Sequence, residues 1–309
     1  MDYVQFLPDG ERLLVCCAVS ETESEVAIWH PFTETKIALE LPHTSIDGLN
    51  GDPFFNPFSN NRIAIPETGG VCYLTGNDQQ LYAFDTTDGT ALNVPANSNA
   101  TQVIITHDGG WLVTVDHEFR DFPNGTHTLR GIAITPSGGE VLWQLELDGW
   151  HEWPFLGGFL PGDEHFTSVS TSGVHVRSFK DGTVVRSGRF PAQSINLPRL
   201  TPDGTRFGVV GYSSFYLYDV DTLAKPGRIS ASQAFGDFRS FSFHPSMNRM
   251  AMIYSGPTLV KLFDLNTLKV IEKLNWKIGK LTSVDYSPNG ALAAAGSEDG
   301  RVVIWDVET

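Results

Sequence analysis

The chain has few cysteines and no long apolar run. Three cysteines, two of them adjacent at Cys16 and Cys17, cannot form a framework of paired disulfides. Adjacent residues of a strand point to opposite faces, so we interpret Cys16 and Cys17 as small packing residues. No segment approaches the roughly 20 apolar residues of a membrane-spanning helix, and the first residues, MDYVQFLPDGER, lack the features of a secretion signal. We therefore expect a cytoplasmic protein with no membrane partner.

Basic residues are also scarce, and this limits the kind of partner. The 309 residues contain 21 Lys and Arg against 36 Asp and Glu, which gives a formal net charge of −15. Binding to the phosphate backbone of a nucleic acid depends mostly on clustered Lys and Arg. We therefore expect no nucleic-acid partner. An acidic surface of this kind would instead attract a basic protein or peptide.

The chain does contain a repeated unit of a strand, a turn and a second strand. Its last nineteen residues, ALAAAGSEDGRVVIWDVET (291–309), show this unit most clearly. In each copy an apolar strand leads into a turn rich in Pro, Asp, Asn or Gly. Seven such turns recur roughly every 41 to 54 residues: LPDG (7–10), NPFSN (56–60), THDGG (106–110), LPGDE (160–164), TPDG (201–204), HPSMN (244–248) and SPNG (287–290). A period of this size predicts a β-propeller.

The repeats resemble those of the WD-repeat propeller family. The last one has Asp299-Gly300 at its turn and Ile304-Trp305-Asp306 on the next strand. Four other repeats keep a version of this triplet: Ile28-Trp29-His30, Ala83-Phe84-Asp85, Leu217-Tyr218-Asp219 and Leu262-Phe263-Asp264. Repeats 3 and 4 depart from it, and Gly279-Lys280 stands where the family has a Gly-His pair. The stretches 81–92 and 138–149 are more similar to quinoprotein-type blades.

These observations predict an all-β fold, a seven-bladed β-propeller of four-stranded antiparallel blades. We name the strands of a blade a to d from the centre outwards. A single domain should cover residues 1–309, with blades starting near residues 3, 52, 102, 155, 196, 239 and 281. Blade 7 should have only three strands, because the chain stops directly after its strand c. Residues 301–307 would then form an open edge, and such an edge invites pairing with another strand.

The links between strands predict where a partner binds. The b–c and d–a links share one face of the ring, because successive strands reverse direction. On that face we expect long b–c loops at about 68–79 and 117–129, a long d–a link at about 42–51, and the segment WHEWP (150–154). These segments, on blades 1 to 4, are rich in aromatic and acidic residues, as interfaces for basic partners are. The predicted partner-binding residues are Phe119, Asp121, Phe122, Trp150, Glu152 and Trp153. The alternative is that the aromatic side chains pack against their own loops.

Motifs that carry chemistry are scarce. The sequence has no Gly-rich phosphate loop, Ser nucleophile elbow, Cys-x-x-Cys pair or His-Glu-x-x-His helix. Asp116, His117, Glu118 and His127 are of metal-ligand types, but their spacing matches no known template. We interpret them as ordinary loop residues and expect neither a metal nor a cofactor.

The sequence therefore predicts a non-catalytic protein–protein interaction scaffold that binds its partner on the rim of blades 1 to 4. The alternative is a propeller enzyme, lactonase-like or quinoprotein-like, with its site at the same rim. An enzyme should have a deep channel mouth with converging charged groups. A scaffold should have a broad, shallow aromatic and acidic patch. Within the channel, the inner strands offer little charge beyond Arg199, Arg239 and Asp285.

Overall fold

The computed structural model describes residues 3–18, 24–41, 62–76, 78–94, 99–119, 125–135, 137–148, 154–190, 195–211, 214–224, 227–230, 238–254 and 258–307. Every helix or strand named within these ranges is a β-strand. The strands form seven antiparallel sheets, and in each sheet the neighbours in space are also neighbours in sequence. Six sheets have four strands and the seventh has three. The predicted seven-bladed propeller with a three-stranded last blade is therefore confirmed.

The strands are numbered in chain order. Blades 1 to 3 comprise β1 (Tyr3–Phe6), β2 (Leu13–Ala18), β3 (Ser24–His30), β4 (Thr35–Leu39), β5 (Ile63–Ala64), β6 (Val71–Thr75), β7 (Leu81–Asp85), β8 (Ala91–Leu92), β9 (Gln102–Ile105), β10 (Trp111–Phe119), β11 (Gly125–Ala133) and β12 (Glu140–Asp148). Blades 4 and 5 comprise β13 (Phe155–Phe159), β14 (His165–Ser170), β15 (Gly173–Ser178), β16 (Val184–Gly188), β17 (Ile195–Leu200), β18 (Arg206–Gly211), β19 (Ser214–Asp219) and β20 (Gly227–Ser230). Blades 6 and 7 comprise β21 (Phe238–Phe243), β22 (Arg249–Tyr254), β23 (Val260–Asp264), β24 (Val270–Leu274), β25 (Leu281–Tyr286), β26 (Leu292–Ser297) and β27 (Val302–Asp306).

The hydrophobic core lies between neighbouring blades. Strands b and c are covered on both faces, which is why their sequences are near-continuous apolar runs. Phe215 of blade 5, for example, packs edge to face on Phe241 of blade 6, with 5.1 Å between ring centroids. A buried cluster containing Val4 and Leu13 of blade 1 and Ala294 of blade 7 joins the two ends of the ring. Each fully buried Leu, Val or Phe contributes about 1.5–3 kcal/mol.

The recurrent turn residues have a direct structural role. In blade 5 the Thr201 hydroxyl donates to Asp203 Oδ1 at 2.6 Å and accepts a hydrogen bond from the Arg206 amide at 2.9 Å. Gly204 follows with a φ of 66°, and a Cβ there would lie 2.2 Å from Pro161 of blade 4. The turns of blades 3 and 7 repeat the hydroxyl bond with Thr106 and Asp108, and with Ser287 and Asn289.

The acidic residue that ends strand c closes the following turn. Asp264 Oδ1 accepts hydrogen bonds from the Thr267 amide at 2.7 Å and from its hydroxyl at 2.8 Å. Asp219 Oδ1 accepts the same pair of bonds from Thr222, each at 2.9 Å. A carboxylate that accepts backbone and hydroxyl hydrogen bonds favours the tight turn. This explains why Asp ends the repeated triplet.

The structure corrects two predicted loops. Residues 68–79 are not a loop of blade 2, because they contain strand b of that blade, β6, and the b–c link is confined to 76–80. The a–b turn of blade 2 is at 65–70, whereas the predicted turn at 56–60 lies outside the described residues, and the first described strand of the blade starts at Ile63. The loop predicted at 117–129 is wrong at both of its ends. Strand β10 continues to Phe119 and β11 starts at Gly125, so antiparallel pairing satisfies the backbone of 117–119 and 125–129, and residues 120–124 lie outside the described residues.

Candidate interaction surfaces

Blade 3 projects beyond the ring on the face that carries the b–c and d–a links, which we call the upper face. Strands β10, β11 and β12 have nine residues each, whereas strands b and c of the other blades have five to seven. Inner strand β9 pairs with β10 only as far as Val115. Residues 116–119, 125–128 and 146–148 therefore form a three-stranded extension, the blade 3 tongue. Four residues of strand give it a height of roughly 13 Å at about 3.3 Å per residue.

The tongue carries acidic residues at regular positions. Asp116 lies opposite Thr128, which lies opposite Glu146. Two residues further along, Glu118, Thr126 and Asp148 form the next row of the same kind. Because positions two apart in a strand share a face, both rows belong to one face of the tongue. This face combines four acidic positions with two threonines.

Arg130 closes the base of this acidic face. Its Nη1 lies 3.5 Å from Asp116 Oδ2 and donates to the Asn99 carbonyl at 3.2 Å. Its Nε donates to Gln144 Oε1 at 3.2 Å. The guanidinium thus engages the acidic residue closest to the ring and links the tongue to the segment between blades 2 and 3.

The four metal-ligand candidates are divided between paired strands. His117 lies directly opposite His127, but Asp116 and Glu118 lie opposite threonines. His127 is buried, and Asp116 is engaged by Arg130. Among the described residues, no three His, Cys, Asp or Glu side chains come together in a metal-binding group. The hairpin geometry therefore offers no assembled metal site in that part of the chain.

Only one of the six predicted partner-binding residues lies within the described structure. Phe119 is the last residue of β10 and pairs with Gly125. Asp121, Phe122, Trp150, Glu152 and Trp153 lie outside the described residues. These five residues follow the ends of β10, at Phe119, and of β12, at Asp148, in the sequence, and β11 lies between these two strands in the sheet. Their role stays a prediction.

The enzyme alternative can be examined at the b–c turn of blade 4, on the same face. His175 Nε2 lies 3.2 Å from Ser172 Oγ and 3.4 Å from Ser170 Oγ, an arrangement like that of a base and a nucleophile. However, burial lowers the pKa of His175 to about 4, so the imidazole is a weak base at neutral pH. Within the described residues its Nδ1 has no hydrogen-bond partner that would orient it. This pair therefore lacks the features of an activated nucleophile.

The charged residues of the inner strands are used to close the ring. Asp285 of β25 accepts hydrogen bonds from the Phe6 amide at 3.0 Å and from the Ser242 hydroxyl at 2.8 Å. Arg199 Nη1 lies 3.5 Å from the same carboxylate and donates to the Phe241 carbonyl at 3.2 Å. Burial raises the pKa of Asp285, and the nearby Arg199 counteracts this rise. One carboxylate thus connects blades 5, 6, 7 and 1 and is a structural bridge.

The outer edge of blade 7 is open in the described part of the chain. The Val307 amide donates to the Ala291 carbonyl at 3.0 Å, and the Ser297 amide donates to the Arg301 carbonyl at 2.9 Å. Because hydrogen-bonded positions alternate along an antiparallel pair, the backbone groups of Val302, Ile304 and Asp306 point away from β26. No described strand pairs with them.

The side chains of β27 are also less covered than their counterparts. Val302, Val303, Ile304 and Trp305 are all half-buried. The equivalent apolar residues of β15, β19 and β23, whose blades have a fourth strand, are buried. Trp305 is covered on one side by Trp276, with 4.6 Å between ring centroids. The side chains of β27 are therefore less buried because blade 7 has no described outer strand to cover them.

Comparisons with known proteins agree with this architecture. A model of the family described as WD domain, G-beta repeat matches residues 273–306, which contain the whole of blade 7. The structure is similar to the crystal structure of the Cps50 (Swd1) β-propeller domain of Myceliophteria thermophila, with a TM-score of 0.74 and 13% identity over 99% of this chain and 96% of that chain. The chain is a seven-bladed β-propeller, and its last blade matches the WD-repeat family model.

A curated relative adds a match in sequence. The chain is 28% identical over 116 residues to the serine-threonine kinase receptor-associated protein of Gallus gallus. The match covers 37% of this chain and spans only 31% of the length of that relative. In addition, no helix in the described residues is long and apolar enough to cross a membrane.

Two features of this propeller do not follow from the sequence analysis. It noted Arg199 and Asp285 as isolated charges but did not pair them, since 86 positions separate them in the chain. It also took the blade 3 tongue for a loop. A signal for the tongue was present, because EVLWQLEL (140–147) alternates over a full outer strand that needs an equally long partner.

Proposed function

We propose that this chain is a non-catalytic protein–protein interaction scaffold of the cytoplasm that binds its partner at the upper rim of blades 1 to 4. The observation that carries the proposal is the blade 3 tongue, a three-stranded projection whose strands are longer than those of the other described blades. Function concentrates in segments that a stable scaffold holds away from its surface. WD-repeat propellers generally act as protein-interaction scaffolds, and the Gallus gallus relative is named as a receptor-associated protein.

The chemistry of the rim favours a basic partner. One face of the tongue has acidic positions at Asp116, Glu118, Glu146 and Asp148, and the whole chain has a net charge of −15. Acidic residues of this kind accelerate association with a basic surface, whereas buried aromatic residues supply most of the affinity. We assign affinity to Phe119, Phe122, Trp150 and Trp153, and steering of the partner to Asp121 and Glu152.

A double substitution tests this assignment. Phe122→Ala with Trp153→Ala should weaken binding of a partner, isolated by affinity pull-down from the native cell, by at least tenfold and leave Tm nearly unchanged. Phe32→Ala is the matched control, because Phe32 is 65% exposed on a c–d turn of the opposite face. Equal binding by the wild type and the double variant would overturn the rim proposal.

The open edge of blade 7 supports a second interaction surface. We propose that residues 301–307 pair with a strand from outside the described structure. The support is the outward backbone of Val302, Ile304 and Asp306 together with the half-buried side chains of β27. Exposed edges of this kind bind extended segments by main-chain hydrogen bonds.

A further inference from the structure

We propose that the open edge of β27 binds an extended segment of a partner protein, antiparallel to β27, with an aliphatic side chain opposite Val302. This inference rests on the strand pairing proposed above and adds the chemistry of the bound segment. Three features of the ring define that chemistry: the free backbone groups of the edge, the outer strands of the complete blades, and the charge of the chain.

The backbone of β27 determines the direction and the register of the bound segment. Val302, Ile304 and Asp306 each present one N–H and one C=O to the edge. In all six complete blades the outer strand pairs antiparallel with strand c. A segment that replaces the missing strand therefore runs antiparallel to β27. It places one residue opposite Ile304 and, two residues later, another opposite Val302.

The complete blades show which side chain belongs opposite Val302. Val302 lies four positions before the last residue of strand c, as do the equivalent residues of the other blades. In four blades the outer strand places an aliphatic residue opposite this position. The pairs are Leu39 with Val26, Leu145 with Leu129, Ile229 with Phe215 and Leu274 with Val260. Blade 4 departs from the rule, with Gly188 opposite Val174.

These aliphatic residues fill the junction with a neighbouring blade. Leu39 belongs to the core cluster of blades 1 and 2, and Ile229 to that of blades 5 and 6. At the junction of blades 7 and 1, Val302, Ile304 and Trp29 are only partly buried against the cluster of Val4 and Ala294. A Leu, Ile or Val from the bound segment would cover this apolar surface and remove it from water.

Charge favours a partner over a second copy of the chain. Two copies would bring together two bodies of net charge −15. A segment from a basic or neutral protein meets no such repulsion. Outer strand β24 illustrates a suitable segment, since it carries Lys273 beside its aliphatic anchor Leu274. We therefore commit to a partner segment with at least one basic residue next to the anchor.

Amide hydrogen exchange of the isolated monomer is the first test. The amides of Val302, Ile304 and Asp306 should exchange at least tenfold faster than those of Val303 and Trp305, which bond to β26 and serve as internal controls. Equal, slow exchange at all five positions in a monomer would show that another part of the chain covers the edge and would overturn the inference. Protection that disappears when a dimer is diluted would assign the edge to a second copy and would also overturn it.

A grafted outer strand at the end of the chain tests the need for an aliphatic side chain opposite Val302. Residues 265–274, LNTLKVIEKL, contain the c–d turn and outer strand of blade 6 and can be added directly after Asp306 in place of 307–309. The Leu265 amide donates to the Asn248 carbonyl as the Val307 amide donates to the Ala291 carbonyl, so the graft preserves that bond. It should raise Tm and slow exchange at Val302, Ile304 and Asp306 at least tenfold. The same graft with Leu274→Asp should do neither. Equal effects of the two grafts, or no effect of either, would overturn the anchor assignment.

The graft also separates this inference from the rim proposal. Because the grafted strand occupies the edge, it should block binding of a partner that uses the edge, whereas Phe122→Ala with Trp153→Ala should not. Loss of binding in the rim variant alone would support the rim and overturn edge binding by that partner. Loss of partner binding in the grafted chain alone would support binding at the edge of β27 and overturn the rim proposal.

Discussion

Replacing Asp285 by alanine should lower the free energy of unfolding by about 3–5 kcal/mol, the range found when one partner of a buried charge pair is removed. The substitution removes the acceptor of the Phe6 amide and of the Ser242 hydroxyl and leaves Arg199 without its counter-ion. Each lost hydrogen bond leaves a buried polar group that must stay dehydrated without compensation. With roughly 2.1 cal/mol/K of unfolding entropy per residue, the loss corresponds to a decrease in Tm of about 5–8 °C.

Asp285→Asn separates the role of charge from that of hydrogen bonding. Asparagine keeps one oxygen that can accept from the Phe6 amide, but its NH₂ group faces either Ser242 or the Arg199 guanidinium. We expect a smaller loss of about 1–3 kcal/mol, because the main-chain link between blades 7 and 1 survives. Urea unfolding, followed by fluorescence at a fixed protein concentration, measures both variants.

Asp306→Ala is the matched control for these two variants. Asp306 is also a carboxylate of blade 7, but it is exposed at the end of β27. Its removal should change the free energy of unfolding by less than about 0.5 kcal/mol. If Asp285→Ala were no more destabilising than Asp306→Ala, the carboxylate would not hold the ring closed and the reasoning would be refuted.

Two further predictions concern pH and metal ions. Burial raises the folded-state pKa of Asp285 above its ordinary value of 3.8, so the folded state holds this proton more tightly than the unfolded state. The associated stability is complete below the ordinary pKa and is lost as the pH rises through the folded-state pKa. The stability difference between wild type and Asp285→Asn should therefore change as the pH rises above 3.8, in favour of the variant, and a constant difference would contradict this. Zinc, manganese or calcium should leave Tm unchanged, because Asp116 is already engaged by Arg130; a rise in Tm that His117→Ala abolishes would reverse this expectation.

The number of blades could be predicted because their turns depend on local chemistry. A hydroxyl, a carboxylate two residues later and a glycine, as at Thr201, Asp203 and Gly204, form their hydrogen bonds within one short segment. The same applies to the aspartate that ends strand c, since Asp264 bonds to residues two and three positions away. Sequence shows such features directly.

The blade 3 tongue could not be derived from the same kind of pattern. His117 and Glu118 are polar residues in succession, and an amphipathic strand does not show such a pair. They are in a strand because His127 and Thr126 of the facing strand satisfy their backbone groups. The loss of apolar alternation marks the point where the blade leaves the ring, and within β10 and β11 that pattern does not distinguish a strand from a loop; only the alternation of residues 140–147 in β12 indicates the longer strands.

The sequence predicts the candidate site only in part, because the site also depends on contacts between segments that are distant in the chain. Phe119 ends β10, and the other five predicted rim residues follow the ends of β10 and β12 in the sequence, and spacing along the chain does not encode how two such segments are arranged. Asp285 is a similar case, since its partners come from three other blades. Long-range pairs of this kind need the closed ring before they exist.

The contacts that close the ring lie near its centre and are separate from the open edge of β27. In the described structure, blades 7 and 1 are joined at their inner strands, by the bond from the Phe6 amide to Asp285 and by the apolar cluster of Val4, Leu13 and Ala294. Neither contact uses the outer edge of β27. Because closure depends on the centre of the ring, the edge at Val302, Ile304 and Asp306 can gain or lose a strand without opening the propeller. The binding of a segment there would therefore add stability to blade 7 without being required for the fold.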